Sequence, residues 1–495
     1  MIVHTETDEK NYDKAWEMLC NQEIMRLDAA ALAELDGQLT NIPKDIIAQT
    51  PAACMGALCV DLRCDRVESA RHRYAQLAAL RDASREGTKE RAILSQYVCC
   101  AGLCMPKIDN ARLLLLLAIL FNEYQGRYKM PNALPLSLTW QRPSVLRGAK
   151  DLSEWGKNYR AVASIVGPML SELFNDRNHG IVAAATAELL YEYNDLNAAA
   201  VEVAAALSCN IPEVAFAGMA QVVRINYAET VDSKRISELL SNMERLIEES
   251  GSNHLMPTYQ ALCVRLAIQG GQLDIVNEWL DNCGVDEMQC NHSHSYELMT
   301  KAKALIAMGH HRDAVTLLER ILLILREDFC PLDTIECLAD CAVACELLND
   351  RNRALDKLEE ALCMAEPYHY VRVIADCGSV MLRLLSQLHK EDMRLEKISH
   401  RYLRTVTDAA HAYSILHPTL YNRIAPHEAK APPELTPMEI QILHLLEEGK
   451  SNREIGETLD IKVPTVKFHL ANLFDKMEAP NRTAAINCAR NLHLL

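Results

Sequence analysis

Thr465, Val466, Lys467, Phe468, Asn472 and Lys476 fall within twelve positions near the end of the 495-residue chain, and Ser451, Asn452 and Arg453 stand shortly before them. Most of these residue types can meet a nucleic-acid duplex. A lysine donates to a phosphate oxygen or a guanine edge, and threonine or asparagine to either. An aromatic ring packs on a thymine methyl. Lys467 is the first choice for a groove contact, and Phe468 suits a thymine methyl. Thr465, Asn472, Lys476 and Arg453 suit phosphates or base edges. The N–H groups of Ser451 and Asn452, opening a helix, suit a phosphate.

Such side chains read a duplex only from helices held at a fixed angle, and the flanking residues specify those helices. Thr436-Pro437-Met438-Glu439 has a hydroxyl at the N-cap, proline in the first turn and glutamate at N3, a capping box. Ser451-Asn452-Arg453-Glu454 repeats the box, and Gly449 stands between, where the first helix must stop. Pro464 fits a third first turn. Val466, Leu470, Leu473 and Met477 then recur at spacings of four, three and four, which buries one stripe. Val466 opens that stripe and also belongs to the contact set. Lys467, Phe468, Ala471, Asn472 and Lys476 lie off it. The spacing predicts a scaffold helix over 452–459, a recognition helix over about 463–477 and a closing helix over about 482–492. Two short helices joined by a turn, the second with a polar face, are what a major groove admits.

The stretch 435–495 resembles the LuxR-type helix-turn-helix. Leu435, Thr436, Glu439, Leu443, Gly449, Ser451, Asn452, Glu454, Ile455, Leu459, Ile461, Thr465, Val466, Lys467, His469, Lys476, Arg482, Thr483 and Ala484 sit where that family has them. The resemblance implies a small four-helix domain on double-stranded promoter DNA, with RNA polymerase as a further partner. Three residues depart from the pattern. Gly456 replaces the usual alanine, at about 0.5–1 kcal/mol in a helix interior. Lys462 replaces the usual serine N-cap, worth about 1 kcal/mol. Ala471 stands where some relatives place a long base-reading side chain.

Charge argues for more than one copy. From 435 to 495 there are seven Lys plus Arg and eight Asp plus Glu, a net of −1. Non-specific affinity scales with the phosphates neutralised. A single module should therefore bind weakly, and a homodimer is expected on DNA, with half-sites about one helical turn apart. The whole chain carries −16, so about −15 falls on residues 1–434. That larger region is not the DNA surface.

The region upstream reads as helical almost throughout, rich in Ala, Leu, Glu and Arg and without strand alternation. Helix–turn–helix junctions recur at Gly271–Val276, Gly309–Ala314 and Asn349–Ala354. Asp274 to Asp313 is 39 residues and Asp313 to Arg353 is 40. Cys64–Ala70 and Tyr193–Ala198 look like further junctions. Helix pairs are expected at 296–308 with 312–326 and at 332–348 with 351–365. Such a period marks a TPR-like α-solenoid whose units pack only on their neighbours and offer a concave surface. Asn41–Ile47 with Thr50-Pro51, and Ala361–Arg372 with Asp376-Cys377-Gly378, resemble the opening and closing segments of the helical-repeat sensor in MalT-like activators, the large ATP-binding LuxR-type regulators. No Walker motif accompanies it: Gly449-Lys450-Ser451 has His444 where the motif needs glycine, so no ATP switch and no cofactor are expected.

The resulting expectation is all-α: a repeat array over 1–416 that senses an effector or protein partner, a Pro-rich tether over 417–434 and the DNA-binding domain over 435–495. The N-terminus does not read as a signal peptide and the longest apolar run, 113–121, is too short for a bilayer, so a cytoplasmic, membrane-free protein is expected. The cysteines, among them Cys99, Cys100 and Cys104 and the i, i+4, i+8 series Cys337, Cys341 and Cys345, read as core packing. Cys283, Cys290, His292 and His294 read as a polar loop rather than a zinc site. Trp140–Ser144 reads as a packed connection at the concavity, with a ligand-holding Trp and Arg as the alternative, and Tyr368–Arg372 as a packed turn. No nucleophile–base pair suggests an enzyme. The competing function is a protein-interaction scaffold whose helix-turn-helix does not read DNA.

Overall fold

In the computed structural model the chain falls into two compact units, Met1–Asn422 and Arg423–Leu495. The structure describes residues 13–476 apart from 22–23, 25–26, 106–107, 125–136, 174–179, 286–293, 328, 392–396, 422–434, 448 and 460, and beyond these Arg482 and Ala485. The described elements are helices, apart from one isolated bridge between Arg147 and Asp151. No described helix is long and apolar enough to cross a membrane.

The five junctions read from the sequence share one backbone device. Asp65, Asn194, Gly271, Gly309 and Asn349 all adopt positive φ, at 58, 64, 70, 87 and 62°. Each N–H turns back onto the helix it ends, and so does the next one. Gly309 N–H donates to Ile306 O at 3.1 Å and His310 N–H to Leu305 O at 2.8 Å; Asn349 and Asp350 repeat this onto Glu346 and Cys345 at 2.9 Å each. This satisfies carbonyls that a helix end leaves bare, and Gly, Asn and Asp enter the left-handed region at least cost. An added Cβ at Gly309 meets nothing within 4 Å, so strain alone would act there. Gly309→Ala is expected to lose about 1–2 kcal/mol by urea denaturation, and Asn349→Gly nothing.

The helix pairs fall where the pattern put them, at Ser295–Met308 with His311–Glu327 and Pro331–Leu347 with Arg351–Ala365. The two members differ in burial. The first helices are enclosed on nearly every side: Pro331–Leu347 buries every residue from Pro331 to Cys345. The second helices bury one stripe, as in Ser233–Ser250 through Ile236, Met243 and Ile247. Cys337, Cys341 and Cys345 are wholly buried, as expected of packing residues, and burial pushes the buried Cys99 thiol up to about 12.

The open concave face expected from the repeat pattern is filled. Residues 137–152 form a strap across the first helices of five successive pairs. Ser137 Oγ and the Leu138 N–H donate to Glu213 (2.9 and 2.8 Å), and Thr258 Oγ1 donates to the Gln141 carbonyl (2.9 Å). Arg142 is 1% exposed and donates to Asp333 and Ser295. Ser144 and the Val145 N–H meet Glu188, and Arg147 meets Asp333 and Glu336. Packing is not neighbour-only either: Tyr191 Oη donates to Asp376 at 2.6 Å, and the Val371 N–H to Glu192 O at 2.7 Å. Both departures have one cause. The inner faces carry acids and arginines that are buried only if paired across the array.

One other expectation changes. The tether does not begin at 417, because His417, Leu420 and Tyr421 are buried in the array. The His417 ring stacks on Tyr227 and tilts against Tyr413, with centroids 5.4 and 4.3 Å away. Trp140 and Arg142 are packing and pairing groups. Tyr368–Arg372 is a packed turn, with His369 at φ 59°. Of the Cys283–His294 set, Cys290 and His292 lie outside the described residues, as do 422–434 of the tether.

Candidate nucleic-acid interface

The second unit is built from Pro437–Glu447, Asn452–Leu459 and Val463–Lys476. Ile442, Leu443, Leu446, Ile455, Val466, Leu470 and Leu473, with Ala485, make its core. Both capping boxes form reciprocally. The Thr436 N–H reaches Glu439 Oε2 at 2.8 Å while the Glu439 N–H reaches Thr436 Oγ1 at 3.3 Å; for Ser451 and Glu454 the distances are 2.7 and 3.4 Å. Gly449, at φ 82°, ends the first helix. Gly456 has a reason to lack a side chain: an added Cβ would sit 2.7 Å from the Ile461 carbonyl oxygen, where the chain turns into the third helix. Arg482 donates to the Leu446 carbonyl at 3.1 Å, closing the first helix from the far side of the sequence.

The candidate contact residues divide by environment. Phe468 is 62% exposed and stands opposite the Val466–Leu470–Leu473 stripe. Thr465 and Lys467 are exposed beside it, and Asn472 is half-buried one turn on. Val466 is wholly buried, so its side chain belongs to the core and is withdrawn from the contact set. The Ser451 N–H is already given to Glu454, which leaves the opening of the scaffold helix to the N–H of Asn452 and beyond. Arg453 is exposed and pairs with Glu457 at 2.9 Å.

Lys476 has a role that the sequence reading missed. Its ammonium lies 2.8 Å from Glu439 Oε2, and that carboxylate is 3% exposed. Burial alone would raise the Glu439 pKa. The Lys476 bond and the Thr436 N–H and hydroxyl outweigh it, so the carboxyl sits below its ordinary range. One glutamate thus caps the first helix and anchors the third. The signal was present, since a capping-box glutamate and a lysine at the end of the third helix had both been noted, but nothing in their separation of 37 residues joined them.

What this unit can do follows from its surface: the third of its described helices presents an aromatic, a hydroxyl and a cation outward, with a half-buried amide one turn on, from a base of the other two. Comparison with known proteins agrees in both units. The family model described as bacterial regulatory proteins, luxR family, matches residues 433–489, and the MalT-like TPR region matches 171–391. The HTH-type transcriptional regulator MalT of Vibrio campbellii is 27% identical over 230 residues, covering 45% of this chain and 26% of that protein. The transcriptional regulatory protein LiaR of Bacillus subtilis is 44% identical over 70 residues, 14% of this chain and 31% of that protein. The monoamine regulon transcriptional regulator of Klebsiella aerogenes is 41% identical over 73 residues, 14% and 32% of the two chains. The chain spans about a quarter to a third of the length of these relatives. With an all-α repeat array ahead of a capped three-helix core, the chain carries a MalT-like TPR region and a LuxR-family helix-turn-helix domain.

Proposed function

We propose that the chain is a DNA-binding transcriptional regulator whose array senses an effector or partner and controls a C-terminal helix-turn-helix on double-stranded promoter DNA. The observation that carries this reading is the solvent face of Val463–Lys476. A phenylalanine 62% exposed beside an exposed lysine lies outside the core formed by the described residues of its unit. The relatives named above are transcriptional regulators by name, which supports the same reading. Two basic residues, Lys476 and Arg453, already hold carboxylates. This lowers the phosphate contacts one copy can make and favours a homodimer. Activation through RNA polymerase is the output proposed.

Lys467→Ala tests the assignment. It is expected to weaken operator binding by about 1–3 kcal/mol in a fluorescence titration and to leave the melting temperature unchanged. The near-neutral charge of the tail supports the competing scaffold reading. Under that reading the wild-type protein retains no operator and the substitution changes nothing.

A further inference from the structure

The strap 137–152 walls two cavities with different side chains. Ser144 and Arg147 face a polar one, where Arg147, Arg265 and Lys303 already share Glu336. Leu138, Val145 and Leu146 face the other, of about 190 Å³, whose wall is almost wholly apolar. Leu117, Trp155, Val166 and Leu189 complete it from four helical segments. Lys150 also reaches it, and the protein itself engages that ammonium, 3.4 Å from the Met105 carbonyl. The surroundings disfavour charge: burial pushes the Cys99 thiol on the same wall up to about 12, so it stays neutral. A cavity holds water only by offering it two to four polar partners, which leucine, valine and tryptophan rings do not supply. A comparable cavity of about 150 Å³, lined by aliphatic and aromatic side chains, stays dry and takes up benzene.

We infer that this cavity binds a small, neutral, hydrophobic molecule of alkylbenzene size, held by the area it buries against leucine, valine and Trp155. An ionised ligand of the same shape loses its hydration on entry and is rejected. The inference deepens the proposed sensing role by giving the effector its chemical class, and it rests on that role only for the consequence. The ligand touches the strap at Leu138, Val145 and Leu146, while Arg142, Ser144 and Arg147 of the same strap hold Asp333, Glu188 and Glu336. A ligand that favours one strap position over another shifts the pairing along five helix pairs.

Calorimetric titration of the full-length chain with toluene, against benzoate and benzylammonium as charged analogues, tests this. The expected result is one toluene bound per chain, with each ion bound at least about tenfold more weakly. Ala163→Phe and Ala185→Leu, which fill the cavity from two different helices, should abolish toluene binding; thermal melting shows which variants are folded. A second readout needs no filled variant. Bromobenzene should quench the fluorescence of Trp155 by heavy-atom contact, and Trp155→Phe should remove that quench. No toluene binding, equal binding of either ion, binding that survives in a folded cavity-filled variant, or a quench undiminished in Trp155→Phe overturns the inference. Operator binding is measured on the same preparation. Operator binding without toluene binding removes the cavity assignment and leaves the regulator reading. Toluene binding without operator binding does the reverse.

Discussion

Asp333→Ala is expected to destabilise the array by about 3–5 kcal/mol, the usual effect of removing one partner from a buried ion pair. Asp333 is 1% exposed and is shared by two strap arginines, Arg142 and Arg147. Deleting the carboxylate leaves Arg142, itself 1% exposed, with a charge in the interior and its Asp333 counter-charge gone. The pair as a whole need not add stability over apolar residues of the same volume; the penalty arises from stranding one half. Two readouts follow. Urea denaturation should report the loss, and trypsin should cut after Arg147 far faster than in the wild type, because the strap is released while the helix pairs persist. A double replacement, Asp333→Leu with Arg142→Leu, should recover part of the stability, which separates a stranded charge from a lost contact.

The second large effect falls in the DNA-binding unit. Glu439→Ala removes an N-cap partner and a charge-assisted bond to Lys476 at once, about 2–3 kcal/mol together. A unit this small buries little surface and has a margin of only a few kcal/mol. The variant is therefore expected to lose operator binding through unfolding of the tail, while the array still melts cooperatively. Glu439→Gln keeps the cap acceptor and loses the charge, so a smaller loss is expected. The same group sets an acid limit. Its folded pKa lies below the ordinary 4.5, so its contribution is complete above that value and fades as pH falls through the lower folded one. Circular dichroism of the tail between neutral and acid pH should show this fade in the wild type, and less of it in Glu439→Gln.

The parts of this protein that were legible in its sequence are those specified by neighbours. Capping boxes span four residues, and the junctions at Asp65, Asn194, Gly271, Gly309 and Asn349 announce themselves by residue types that tolerate positive φ. The apolar stripe of the recognition helix needs only its own period. What sequence could not show depends on partners far along the chain. Trp140–Ser144 reads as a packed connection, but the alternative of a ligand-holding Trp and Arg stays open until Asp333 arrives from 191 residues away. Asp333, Glu336 and Asp340 share one helix, and their partners, the strap, Arg265 and Lys303, come from elsewhere in the chain. His417 reads as the start of a tether because the stretch to 434 is rich in proline and alanine, and its seat between Tyr227 and Tyr413 has no local signal. Within the interface, period put Val466 in the core while the contact set also held it, and burial decides for the core.

The central claim is that Val463–Lys476 reads DNA from its Phe468 face. Selection of bound sequences from a random duplex library tests it most directly, using the full-length chain in parallel with a Lys467→Ala, Phe468→Ala variant at the same salt. The expected result is a recovered motif of two half-sites about one helical turn apart, lost or degenerate in the variant. No enrichment by the wild-type chain, or the same motif recovered by both proteins, would contradict it.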